Sequence, residues 1–87
     1  MTSYVIVDKD NLRLYSGTFS DTRAFAEQVC ASSLDTVLYQ IRFRGSEALG
    51  QFVYEYTSSG HRQVSPRRYI YKSEIKKLAA CMEGIHV

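Results

Sequence analysis

No stretch of this 87-residue chain approaches the roughly 20 apolar residues that span a bilayer. The first residues, Met1-Thr2-Ser3-Tyr4, lack the basic start and apolar stretch of a secretory signal, so a cytoplasmic protein with no membrane partner is expected. Cysteine is limited to Cys30 and Cys81, without the close pairing that announces a zinc site. Two small thiols in a reducing compartment are the expectation, and a disulfide between them is the alternative. Histidine is equally scarce. His61 falls in a turn and His86 beside the C-terminus, where neither has the fixed geometry a general base needs, and both read as solvated surface residues. No Gly-x-Gly-x-x-Gly or P-loop occurs, no repeat and no low-complexity linker. The sequence therefore predicts no catalytic residue, no metal ligand, no cofactor and no enzyme.

What is present is an ordinary globular composition, 45% hydrophobic and 23% charged, which suits one domain over residues 1–87. The strongest internal signal is a hairpin. With residues 45–50 as its loop, Phe43 meets Phe52, Ile41 meets Tyr54 and Tyr39 meets Tyr56 on one face. The other face then carries Arg44, Gln51, Arg42, Val53, Gln40 and Glu55, with Glu55 as a diagonal partner of Arg42. A first hairpin is predicted from Tyr4–Val7 and Leu12–Phe19 around Lys9-Asp10. It pairs Val7 with Leu12 and Val5 with Leu14 on a buried side, and Ile6 with Arg13 and Tyr4 with Tyr15 on a half-wet one.

Between the hairpins, Ser20 is an N-cap candidate with Asp21 in the first turn, and Phe25, Ala26, Val29 and Cys30 form an apolar stripe. Ser32-Ser33 ends this helix. After the turn Ser58-Ser59-Gly60-His61, Arg62–Val64 reads as a short edge strand stopped by Pro66. The last third has two readings. A helix starting at Ser65-Pro66 aligns Tyr71, Ile75, Leu78, Met82 and Ile85; the favoured alternative makes Tyr69–Tyr71 a strand and Ser73 the cap of a helix over 74–83. The predicted class is α+β, an antiparallel sheet of four to five strands in the order ββαββ(β)α.

The charge is uneven. Residues 1–60 carry five basic against seven acidic side chains, and residues 61–87 carry six basic against two acidic. Arg62, Arg67, Arg68, Lys72, Lys76 and Lys77 are interleaved with Tyr69 and Tyr71, a pattern in which cations meet phosphates and rings stack on bases; packing of the tyrosines in the core explains it equally. Ser65-Pro66-Arg67-Arg68 also has the form of a minor-groove motif. Arg42 and Arg44 extend the basic surface, and Tyr4 and Tyr15 are the tyrosines expected to be exposed for contact.

The order of two strands, a Ser20-capped helix with Ala24 and Ala26, and Thr36-Val37 entering another hairpin resembles small phage-encoded inhibitors of bacterial defence, anti-CRISPR proteins among them, over residues 4–57. The resemblance implies a non-enzymatic protein that blocks a larger nucleoprotein machine by occlusion. It transfers no functional residue. The expected function is thus stoichiometric inhibitor or adaptor binding to a protein or nucleoprotein complex through exposed Tyr and the basic last third, with sequence-independent DNA or RNA binding as the alternative. A homodimer through an open sheet edge is a further expected partner arrangement.

Overall fold

A computed structural model describes residues 1–9 and 13–75. The chain runs β1 (Thr2–Asp8), β2 (Arg13–Gly17), α1 (Phe19–Ala31), β3 (Leu38–Arg44), β4 (Leu49–Thr57), β5 (Gly60–Gln63) and β6 (Tyr69–Tyr71), with helical backbone at 72–75. The strands form one antiparallel sheet ordered β2-β1-β3-β4-β5, with β6 also paired to β4. The α+β class is as predicted, including a strand at Tyr69–Tyr71. Helical backbone begins at Lys72, which places Ser73 inside the first turn instead of at its cap. The remainder of the predicted C-terminal helix, the Lys9-Asp10 turn, Leu12, Cys81 and His86 lie outside or partly outside the described residues.

The helix begins earlier than Ser20. Thr18 has an extended backbone (φ −74°, ψ 168°) and its Oγ1 accepts a hydrogen bond from the Asp21 amide, so it is the N-cap. Asp21 then sits at the third helical position, where its charge meets the free amides of the first turn. Its buried row is Thr22, Ala26 and Cys30, spaced by four, with Phe25 and Val29 flanking it half-buried. Thr18→Ala is expected to cost about 1 kcal/mol, a fall of roughly 4–8 °C in melting temperature, with little change for Ser20→Ala. Thermal denaturation of both variants checks this.

Each sheet face carries a buried cluster. Ile6, Leu38 and Tyr56 pack with Ala26 and Cys30 under α1. Val7, Ile41, Phe43, Phe52, Ile70 and Ile75 form a second cluster on the opposite face. The expected half-wet side of β1 is therefore wrong: Ile6 is 0% exposed and Val7 1%. An uninterrupted apolar strand such as Tyr4–Val7 fits a sheet covered on both sides.

Both hairpin registers differ from the expected ones, and each hairpin carries a bulge. In the first hairpin Ile6 faces Tyr15, Val5 faces Ser16 and Tyr4 faces Gly17, with a shift before Val7–Arg13. This register lets Tyr15 stack on Phe25 of α1, ring centroids 4.8 Å apart, and it leaves Leu14 exposed. In the central hairpin Arg42 pairs with Gln51 and Ile41 with Phe52, but Gln40 pairs with Tyr54 and Leu38 with Tyr56. Val53 is the extra residue. A bulge of one residue sends every side chain beyond it to the other face. Phe52 thus stays with Ile41, Phe43 and Tyr39, while Tyr54 and Tyr56 turn toward α1. The rings expected on one side are divided between two.

The bulge also creates a buried polar network. Gln40, expected to be wet, is 0% exposed. Its Nε2 donates to Thr22 Oγ1 at 2.8 Å and to the Phe19 carbonyl at 3.2 Å, and its Oε1 accepts from the Tyr56 hydroxyl at 2.9 Å. No buried side-chain N or O among the described residues is left without a partner. This network ties the first turn of α1 to β3 and β4.

Candidate binding face

On the α1 side, the sheet extends past the start of the helix and presents cross-strand rows. Tyr4 of β1 lies opposite Arg42 of β3, Arg42 opposite Gln51 of β4, and Gln51 opposite Tyr69 of β6. The next row on the same face places Thr2 opposite Arg44 and Leu49 opposite Tyr71. Three side chains of these rows are large, apolar-bodied and substantially exposed: Tyr69, Tyr71 and Leu49. Pairing of β6 to β4 is fixed by backbone contacts at both ends, Phe52 N–H to the Arg68 carbonyl at 2.9 Å and Lys72 N–H to the Ala48 carbonyl at 2.7 Å. The tyrosines therefore sit on a ladder, not on a loose tail.

Two adjoining cavities cut this surface and share Arg42 and Gln51. One, of about 440 Å³, is lined by Tyr4, Phe19, Tyr54, Gln63 and Arg67 among others; the second, of about 130 Å³, by Arg44, Glu47, Leu49 and Tyr69. Among the described residues no carboxylate lines the larger one. The Arg42 guanidinium donates to Gln51 Oε1 at 2.7 Å, a neutral partner that orients the charge without cancelling it. Glu55, the expected partner of Arg42, is elsewhere. It bonds Arg62 Nε at 2.6 Å on the opposite side of the sheet, directly across from Arg62 in the β4–β5 ladder.

The predicted basic surface is thus divided by the sheet. Arg42, Arg44, Tyr69 and Tyr4 gather on the α1-side rows, and Arg67 reaches the larger cavity there while also lining one shared with Glu55, Arg62 and Arg68. Arg62 is neutralised by Glu55. Arg68 lies over the Phe52 ring, 4.5 Å from its centroid, and 5.7 Å from Tyr39, while Lys72 Nζ is 5.4 Å from the Phe43 ring. These two cations cover aromatic core residues of the second cluster. Tyr15 is exposed as expected but stacks on Phe25 and lines neither cavity. Lys76 and Lys77 lie outside the described residues. Gln51 and Leu49 are members of the face that were not predicted as contacts; Tyr71, expected with Tyr69 as a stacking ring, stands two residues from it on the same strand.

A second cluster joins residues far apart in sequence. Arg23 Nη2 lies 2.8 Å from His61 Nε2, the His61 ring meets Tyr54 edge-on at 5.6 Å, and the Arg23 guanidinium is 5.9 Å from both the Phe19 and Tyr54 rings. His61 is exposed, as predicted, yet held in place by Arg23 and tyrosine rings. Among the described residues no three His, Cys, Asp or Glu side chains converge as metal ligands.

Titration chemistry follows burial. Desolvation pushes the Tyr56 phenol up to about 12. Tyr39 is raised by burial and then by neighbouring Glu55, with Arg68 opposing. Cys30 is free and buried; desolvation raises its thiol, a hydrogen bond from the Leu38 backbone opposes this, and the thiol stays protonated and unreactive near neutrality. No helix among the described residues is long and apolar enough to cross a membrane. Comparison with known proteins gives no match to any family model, curated protein or solved structure.

Proposed function

We propose that the chain is a non-enzymatic binding protein that docks stoichiometrically, as inhibitor or adaptor, on a protein or nucleoprotein assembly through the α1-side rows of its sheet. The observation that carries this reading is the pairing Tyr4–Arg42–Gln51–Tyr69 with Arg44, Leu49 and Tyr71 beside it. Tyrosine and arginine dominate binding hot spots because they bring large contact area with a polar handle and few rotors per unit area. Here they are mounted on paired strands, which lowers the ordering cost of binding. The same behaviour is what the resemblance to small phage-encoded inhibitors implies. An exposed, tyrosine-rich sheet surface whose cavities, among the described residues, hold no histidine and no cluster of carboxylates suits occlusion better than turnover.

Site-specific photo-crosslinking tests the reading. Benzoylphenylalanine is incorporated at position 69 and, as a control, at exposed position 34 in the loop after α1. A discrete adduct from position 69 in the native host, several-fold stronger than from position 34 and suppressed by Arg44→Glu with Tyr71→Ala, is expected. Equal labelling from both positions, or none from position 69, refutes the assignment of this face.

A further inference from the structure

We infer that the segment received by this face is single-stranded nucleic acid, its phosphates on Arg42, Arg44 and Arg67 and its bases on Tyr69 and Tyr71; this rests on the binding face proposed above and names its ligand. Charge complementarity carries the choice. The three guanidiniums line two cavities that share Arg42, and among the described residues Glu47 is the one acidic side chain lining either. No ion pair neutralises Arg42, Arg44 or Arg67 among the described residues, whereas Arg62 and Arg23 are each paired to a glutamate. Arg42, Arg44 and Arg67 thus bring uncancelled charge to the cavities, whereas Arg68 and Lys72, which also lack an ion pair among the described residues, lie over Phe52 and Phe43 of the second cluster.

Ring geometry selects the strandedness. Tyr69 and Tyr71 are 49% and 55% exposed and stand two residues apart on one strand, so both rings rise from the same face. Flat rings beside a cationic groove stack on unpaired bases, whose faces a duplex hides. An acidic peptide satisfies the arginines and packs on the rings, but it lacks the flat faces that unpaired bases offer both rings for stacking. Stacking and phosphate contact do not read base identity, so the expected binding is tolerant of sequence.

The test is fluorescence anisotropy of the full chain with fluorescein-labelled 15-nucleotide oligo-dT and oligo-U, a duplex of equal length, and an octa-glutamate peptide, at 50 and 200 mM salt. Both single strands should bind more tightly than the duplex. With three phosphates neutralised, affinity should fall roughly 20-fold between the two salts, and only about threefold for Arg42→Gln combined with Arg67→Gln. Tyr69→Ala should lose at least about fivefold at either salt. Circular dichroism confirms that the variants are folded. Absence of oligonucleotide binding at 50 mM, a duplex preference, or binding indifferent to the double arginine variant overturns the inference. Octa-glutamate binding without oligonucleotide binding overturns it in favour of an acidic protein partner. The crosslink from position 69 separates the two levels: its persistence without oligonucleotide binding defeats the ligand assignment alone, and its loss defeats the face as well.

Discussion

Tyr56→Ala is expected to remove about 4 kcal/mol of stability, the range for deleting a large buried ring, and to move the denaturant midpoint far below that of the native chain. The ring is 1% exposed and packs with Ile6, Ala26, Cys30 and Leu38, so truncation opens a void between sheet and helix. It also withdraws the hydroxyl that satisfies Gln40 Oε1, leaving a buried acceptor without a donor. Against a total stability of roughly 5–15 kcal/mol this is a large fraction. Tyr56→Phe isolates the polar part and should cost about 1 kcal/mol at neutral pH.

The phenylalanine variant has a second signature. Burial raises the Tyr56 pKa from 10.0 to about 12, so the folded state holds the proton more tightly than the unfolded chain does. Stability is complete below the unfolded value and is lost as pH climbs from about 10 to about 12, by on the order of 2–3 kcal/mol. Tyr39, raised in the same direction, adds to the loss. Tyr56→Phe should therefore flatten the alkaline end of the stability profile. Denaturant titrations at neutral pH and near pH 11 decide it, and an unchanged alkaline slope would place the titrating group elsewhere.

Gly50→Val is expected to destabilise by about 3 kcal/mol, a fall of roughly 15 °C in melting temperature. A Cβ at this position would lie 2.5 Å from Phe43 Cζ, 2.6 Å from Phe43 Cε1 and 2.8 Å from Ile41 Cγ2. The Phe43 ring lies across the glycine of the neighbouring strand and is 1% exposed within the second cluster, so it has nowhere to retreat. Gly50 also pairs with Ile70, and displacing it would loosen β6. The variant therefore links the core to the binding face: Tyr69 and Tyr71 should become more mobile, which calorimetry and tyrosine side-chain NMR would report together. A melting temperature within a few degrees of native would show that the ring yields.

Element order was readable because it depends on local chemistry. Gly and Ser clusters, alternating Tyr and Phe, and the polar break before Tyr69 each act within a few residues. Register was not. Nothing in Phe52-Val53-Tyr54 marks a bulge, since no glycine stands there, and what settles it is distant: Tyr54 and Tyr56 gain contacts under α1, while Phe52 keeps those with Ile41 and Tyr39. The same distance hid Gln40. A lone glutamine in an amphipathic strand reads as solvent-facing, and its three partners Phe19, Thr22 and Tyr56 lie 16 to 21 residues away. Thr18 and Ser20 both fit the residue preference for a cap, and the extended backbone of Thr18 is what makes it the one.

The site was legible in kind more than in membership. Arg42 and Arg44 alternate with Ile41 and Phe43, and that period alone places them on one face. Arg62, Arg67, Arg68 and Lys72 read as one cationic stretch because they are close along the chain. The sheet then turns Arg68 and Lys72 toward the second cluster and Arg62 toward Glu55, leaving Arg67 to join the β3 arginines. Which cations stay unneutralised is a property of cross-strand pairing, which a linear charge count does not contain.

The outer flank of β4 is shared, β6 taking Leu49–Gln51 and β5 taking Tyr54–Thr57, with the bulge at the changeover. A single long strand is thus capped by two short ones, and among the described residues the strands at the sheet's borders are 5, 4 and 3 residues in length. Such brief, interrupted rims offer a poor template for intermolecular strand addition, so growth into fibrils or sheet-to-sheet polymers is disfavoured even at high concentration.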